Sequence, residues 1–258
     1  MADEHVAAIA RRRRAHLGAV ALVVVVVAGL ALGTARPAPR AAPKAKKSDA
    51  APVLPGGCTS EPRDRATPRL PRRPPEFSLE GGADLRAVVQ TSCGTVEVDL
   101  LEDRAPRNVA NFAGLARRGF YDGLTWHRVE RNFVIQSGDP NGRNLDPPDG
   151  PPYSVPDELD GVDGRDYVYG VVAMANSGAD TAGSQFFVVV HDHEGALEGA
   201  PEPAGLQPDY TIIGRVARSS WDALERLAAV PVRGGLNLVE AVTPVTPVFI
   251  DSIEIDSR

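Results

Sequence analysis

Cysteine is scarce in this 258-residue chain, which has only Cys58 and Cys93. Two thiols are too few for a disulfide-built scaffold or a cysteine zinc site. They suffice for one bridge, which an oxidising compartment would permit; two free thiols are the alternative. Lysine is missing from most of the chain. From Gly81 to Arg258 there are 14 arginines, no lysine and 27 acidic residues, a net charge of −13. So acidic a region excludes nucleic acid as a partner, because that needs a basic footprint. Metal signatures are missing too. His191 and His193 alternate along the chain without further ligands, and Asp157, Asp160, Asp163 and Asp166 lack the spacing and terminal Glu of a calcium-binding EF-hand. No Ser or Cys motif accompanies His127, so a nucleophile–base pair is not expected. There is no internal repeat and no alternation of strands with helices, which excludes a parallel α/β sheet.

Charge is also missing from one long run, and there the absence is informative. Leu17 to Gly33 has neither a charged residue nor proline. With its flanks it gives a candidate membrane span at residues 15–35, near the ~20 residues that cross a bilayer. Residues 1–14 end in four arginines, which should stay cytoplasmic and put everything after the span outside. A plasma-membrane anchor with one pass is therefore expected. The alternative is a cleavable signal peptide cut near Ala35, giving a secreted protein. The apolar run is longer than a usual signal core, which favours the anchor. Residues 36–76 follow as a linker of proline, alanine and basic residues without apolar periodicity, expected to be disordered and extended.

Residues 77–258 carry the folding signals. Leu85 to Thr91 and Thr95 to Leu101 flank a Ser-Cys-Gly turn, and Val96, Val98 and Leu100 alternate with polar residues, which predicts an antiparallel hairpin. Pro106 opens a helix with Val109, Phe112, Ala113 and Ala116 on one face, and Gly119 ends it. Strands are expected at Phe133–Ser137, Tyr167–Ala175, Gln185–Val190, Tyr210–Val216 and Val248–Ile255. A second helix is expected at Ser219–Ala229, with Ser219 and Asp222 resembling a capping box. Long loops rich in Gly, Pro and Asp separate these elements. Many strands with two short helices predict a mainly β fold: a closed antiparallel β-barrel with helical plugs.

Two stretches combine polar and apolar residues in a way that suggests a site. In Phe120–Asp139, Arg128 and Gln136 lie among Trp126, Val129, Phe133, Val134 and Ile135. An arginine amid that much apolar surface is either tied down or aimed at a ligand. Gly170–Val190 has the same mixed character.

Six segments then occur in order: NVANF from Asn108, GFYDGLTWHRV from Gly119, NFVIQSGDP from Asn132, VPDEL from Val155, MANSGADTAGSQFFV from Met174, and YTIIGRV from Tyr210. Each alone is weak, but the ordered set is specific. The region from about Leu85 to Ile255 resembles the cyclophilin family of peptidyl-prolyl cis–trans isomerases. The resemblance implies a closed eight-stranded antiparallel β-barrel capped by two α-helices (cyclophilin-like), proline-containing polypeptides as clients, and no cofactor or metal. It implies Arg128 as the catalytic arginine, and Phe133, Val134, Phe187 and Leu206 as lining of a proline pocket. Gln136, Ala175, Asn176 and Gln185 would line the groove and hold the substrate backbone. Gly205 stands about where many relatives have a tryptophan, and Tyr210 where they have a histidine, so Tyr210 is expected at the site and cyclosporin binding is expected to be weak. Asn141–Tyr153 departs from the family's glycine-rich loop, and Glu194–Gly205 looks inserted. The expected function is isomerisation of X–Pro bonds in exported chains, assisting their folding. The alternative is a non-catalytic proline-peptide-binding scaffold on the same fold.

Overall fold

The computed structural model describes residues 57–59, 70–75, 84–142, 150–236 and 241–257, all within the compact unit Asp49–Arg258. The apolar run at 15–35 lies outside the described residues, among which no helix is long and apolar enough to cross a membrane.

The strands are β1 (Leu85–Thr91), β2 (Gly94–Leu100), β3 (Arg128–Glu130), β4 (Val134–Ser137), β5 (Val171–Met174), β6 (Phe186–Val189), β7 (Ile212–Val216) and β8 (Ile250–Ser257). The helices are α1 (Pro106–Ala116), α2 (His193–Glu198) and α3 (Trp221–Ala228). The strands form one sheet in the order β3-β4-β6-β5-β7-β2-β1-β8, antiparallel throughout. The sequence predicts a closed barrel, but the ladder itself stops at β3 and β8. On the side of β3 away from β4 the Val129 amide donates to the Val242 carbonyl at 2.7 Å, so a loop and not β8 lies along that edge. Residues just before β3 bond those at the start of β8. Thr125 and Phe249 form an isolated bridge, the Gly123 and Trp126 amides donate to the Ile250 and Val248 carbonyls, and the Ile250 amide donates to Leu124.

Residue alternation sorts the side chains of the central strands into two apolar clusters. Ile135, Val172, Met174, Phe186, Val188 and Ile213 belong to a large cluster, with Phe112 and Leu115 of α1 and Leu224 and Leu227 of α3. Their neighbours Val134, Val171, Ala173, Phe187, Val189 and Ile212 form a second, smaller cluster. Strands β4 to β7 are therefore apolar on both faces, whereas β1 alternates buried with half-buried positions. The large cluster is aromatic at its centre, where the Phe186 ring meets Phe112, Tyr121 and Trp126 edge-on at 5.3–5.6 Å. Such pairs prefer this geometry because ring edges are positive and faces negative.

The first turn of α1 has no local cap. Its N-cap is Ala105, which has no side-chain acceptor, and Pro106 follows. Glu158, fifty residues later, supplies what is missing. Its carboxylate accepts from the Arg107 and Asn108 amides at 3.1 and 2.9 Å and from the Asn108 side chain at 2.9 Å. A carboxylate at a helix N-terminus also meets the positive end of the helix dipole. Burial alone would raise the Glu158 carboxyl, but these bonds win and hold it below the ordinary carboxylate range. The capping expected of Ser219 and Asp222 does not form. A 3-10 turn at Arg218–Ser220 leads into α3, and Ser220 stands at the N-cap without a capping bond because its hydroxyl accepts from the Glu97 amide at 3.0 Å.

Two short pieces of the stretch read as a free linker pack on the domain. Cys58 and Cys93 are joined in a disulfide, and the Thr59 amide donates to Ser92 at 2.8 Å. Pro75 is buried beside Gly114 of α1, where a Cβ would come within 2.7 Å of the proline ring. The bridge is the one the two thiols allowed, and it ties to the domain a stretch whose composition alone reads as free linker.

Candidate active site

Arg128 opens β3 and pairs in register with Gln136 of β4, which in turn pairs with Phe187 of β6. This register sets Arg128 and Gln136 beside Phe187, which is distant in the sequence. The Arg128 guanidinium donates through Nη1 to Gln136 Oε1 at 3.3 Å and through Nη2 to Glu130 Oε2 at 2.6 Å. Its Cζ lies 5.7 Å from the centre of the Phe133 ring, within cation–π range. Gln136 Nε2 donates to Gln185 Oε1 at 2.8 Å, and Gln185 Nε2 reaches the buried Asp139 at 3.5 Å. A polar relay thus runs from the half-buried arginine to a buried carboxylate.

The apolar wall beside this relay is the second cluster. Val134 and Phe187 are buried in it, and Phe133, Ala175, Leu206 and Tyr210 pack against it half-buried. Tyr210 meets the Phe187 ring edge-on at 5.3 Å. It is fixed by Tyr167, whose hydroxyl donates to the Tyr210 carbonyl at 2.7 Å and accepts from its amide at 3.1 Å.

Two cavities flank the wall. One of about 290 Å³ is lined by Gly150, Pro151, Tyr153, Ala175, Ser184 and Gln185, and the other, about 460 Å³, by Asp157, Asn176, Asp209 and Tyr210 among others. Ala175 and Gln185 are linked by a backbone bond of 2.9 Å. Asn176 stands apart from the arginine relay. Its amide donates to the Asp209 carbonyl at 2.7 Å and its carbonyl oxygen accepts from the Gly178 amide, so the side chain braces a loop. The close approach of β4 to the Ser184–Gln185 backbone requires Gly138, where a Cβ would lie 2.3 Å from the Ser184 carbonyl oxygen.

His127, beside Arg128, is 2 % exposed, and burial together with the neighbouring guanidinium lowers its pKa to about 4. The ring is therefore neutral at ordinary pH. Just before Glu194–Gly205, Asp192 caps α2, accepting from the Gly195 and Glu202 amides. His193 stacks on Tyr169 at 4.8 Å, and His191 contacts the Asn132 carbonyl. Asp163 and Asp166 bond Arg165 and Arg104. Among the described residues no group of three or more His, Cys, Asp or Glu could hold a metal ion. The altered loop is described only in part, since residues 143–149 lie outside the described residues.

Sequence reading missed Glu130 and Tyr167. Glu130 was detectable, since two residues apart on a strand means the same face as Arg128. Tyr167 left no local sign, because its partner Tyr210 is 43 residues away.

Residues 86–255 match the family described as cyclophilin type peptidyl-prolyl cis-trans isomerase/CLD. A peptidyl-prolyl cis-trans isomerase of Synechococcus elongatus is 37% identical over 124 residues, which are 48% of this chain and 81% of that protein. Peptidyl-prolyl cis-trans isomerase B of Bacillus subtilis is 40% identical over 121 residues, 47% of this chain and 75% of that protein. A putative isomerase of Staphylococcus saprophyticus is 32% identical over 200 residues, covering 70% of this chain and 97% of that protein. The fold is similar to a cyclophilin-type isomerase of Cryptosporidium parvum, with a TM-score of 0.55 and 23% identity, covering 68% of this chain and 99% of that one. A further structure of that protein was solved in the presence of the dipeptide Ala-Pro, with a TM-score of 0.54 and 23% identity over 67% of this chain and 99% of that one. The chain therefore belongs to the cyclophilin-type peptidyl-prolyl cis–trans isomerase family and is an isomerase of that class.

Proposed function

We propose that this isomerase acts on X–Pro bonds of exported polypeptides and that Arg128 is its catalytic donor. Phe133, Val134, Phe187, Leu206 and Tyr210 take the proline ring, and Gln136, Ala175, Asn176 and Gln185 flank the peptide. One observation carries this reading: a half-buried guanidinium, with acceptors on both terminal nitrogens, stands beside an apolar cluster separate from the main core.

The chemistry asks for this combination. The amide C–N bond resists rotation with a barrier of about 18–20 kcal/mol because of its partial double-bond character. A twisted amide loses resonance, and its nitrogen regains a lone pair. A guanidinium aimed at that nitrogen bonds it only when it is twisted, so it stabilises the transition state selectively. Arginine suits the role because it is always charged and holds its donors in a rigid fork. The apolar wall fixes the ring, and the groove amides hold the chain on either side of it.

Export rests on the apolar run at 15–35, and a Cys58–Cys93 disulfide fits an oxidising compartment. The proposed location is the plasma membrane, with the isomerase domain on the extracytoplasmic side. Gly205 adopts φ +74°, in the left-handed region that strains a residue with a side chain, so an indole is not simply restored there. Weak cyclosporin binding is the consequence.

The decisive experiment is a protease-free prolyl isomerisation assay on wild type and Arg128→Ala. A loss of about 10²–10³ in kcat/KM is expected, the effect of removing one donor to developing charge, with thermal stability little changed. Undiminished turnover in the variant would end the assignment, and proline-peptide binding without wild-type turnover would favour a scaffold. Membrane fractionation and the mature N-terminus test the location; a start at Arg36 would mean a cleaved leader.

A further inference from the structure

Resting on the reading of Arg128 as the catalytic donor, we propose that Glu130 is its positioning residue. The two side chains share one face of β3, and the guanidinium donates through Nη2 to Glu130 Oε2 at 2.6 Å. Gln136 holds the other terminal nitrogen at 3.3 Å, and the Phe133 ring lies 5.7 Å from Cζ. One acceptor leaves a guanidinium free to swing about the bond. Acceptors at both ends, with a ring beside it, fix the plane in space.

Gln136 is itself held by Gln185, so that side of the clamp is rigid. Glu130 is the other side. It stands on a three-residue strand at the end of the sheet, and its side chain is 40% exposed against 27% for Arg128. A pair this exposed adds little to folding stability, because water screens it and ordering two long side chains costs entropy. The same exposure screens the negative field that the carboxylate adds beside the donor. Its remaining consequence is geometric. A donor that stabilises a transition state must be aimed before the reaction, and small misplacements are costly.

The test is kcat/KM for Glu130→Ala, Glu130→Gln, Arg128→Ala and the double variant Arg128→Ala/Glu130→Ala, with the Arg128 Nε–H signal followed by NMR. Glu130→Ala should lose about three- to tenfold in kcat/KM, mainly in kcat. Glu130→Gln keeps an acceptor oxygen of the same reach and should recover to within about twofold of wild type. On the Arg128→Ala background, Glu130→Ala should add nothing, because its effect passes through the arginine. The Nε–H signal should broaden in Glu130→Ala and stay sharp in Glu130→Gln. Unchanged or higher activity in Glu130→Ala overturns the inference. So does a Gln variant as weak as the Ala variant, or a further loss in the double variant. Retained turnover in Arg128→Ala would instead bring down the catalytic reading itself. Loss there with an unaffected Glu130→Ala removes only the role of Glu130.

Discussion

Phe186 and Phe187 are adjacent on β6 and almost equally hidden, at 2% and 5% exposure. They belong to different clusters because successive strand residues point to opposite faces. Phe186 packs edge-on against three aromatic rings, Phe112, Tyr121 and Trp126. Phe187 meets Tyr210, itself half-buried, in a cluster whose edge carries Phe133, Leu206 and, beside them, Arg128. Burial alone does not separate the core residue from the one proposed to bind proline. The company each keeps does: one cluster is sealed by helices α1 and α3, whereas the other ends in half-buried side chains and a cation. Residues 127 and 128 repeat the pattern, with a buried neutral histidine next to a half-buried arginine.

The sharpest way to break this comparison is to truncate each phenylalanine. Phe186→Ala should destabilise the fold by about 3–5 kcal/mol, the usual cost of emptying a packed aromatic site. Phe187→Ala should cost less stability but lower kcat/KM by about tenfold or more, as expected for lost contact in an apolar pocket. Urea unfolding and isomerisation assays on both variants read the two effects. Equal losses in both measurements would mean that the clusters are not functionally distinct.

Acid sharpens the contrast between His127 and Arg128. The His127 pKa of about 4 lies below the ordinary 6.5, so between those values the unfolded chain binds a proton that the folded one refuses. Stability is therefore full above about pH 6.5 and falls as the pH drops towards 4, by about 3 kcal/mol in all. In His127→Phe this part of the pH dependence should vanish from urea midpoints taken across the window. A slope identical to wild type would show that the ring does not carry it.

A smaller effect is expected at Glu158, which serves the sealed side. Glu158→Ala should destabilise by about 1–3 kcal/mol, since it strands the amides it caps. Its carboxyl is held below the ordinary value of 4.5, so its contribution is present above that pH and lost as the pH falls through the lowered value. Isomerase activity per folded molecule should not change. A proportionate fall in kcat/KM would place Glu158 in the site and blur the division drawn here.

Much of the sealed side was legible in the chain. The period-two pattern of Val96, Val98 and Leu100 marks β2, and the spacing of Val109, Phe112 and Ala116 marks α1. Both signals are local, so a window of ten residues carries them. The expected bounds failed where a turn competed with a strand. Tyr167–Ala175 reads as one apolar run, but β5 begins only at Val171, because the Val171 amide donates to the Val168 carbonyl in a turn that holds Gly170 at φ +83°. Likewise α2 formed within a stretch that resembled an insertion and carried no helical period long enough to detect.

By itself the sequence determined a mainly β domain with two amphipathic helices, and the residue types that the proposed proline groove needs, because alternation, helical spacing and ordered motifs are written along the chain. Only the tertiary structure decided which phenylalanine faces which cluster, that Glu158 caps a helix fifty residues earlier, and that Glu130 and Gln136 grip the two ends of the Arg128 guanidinium. Those facts depend on strand register and loop closure, and a one-residue slip in register would exchange the two faces of every strand involved.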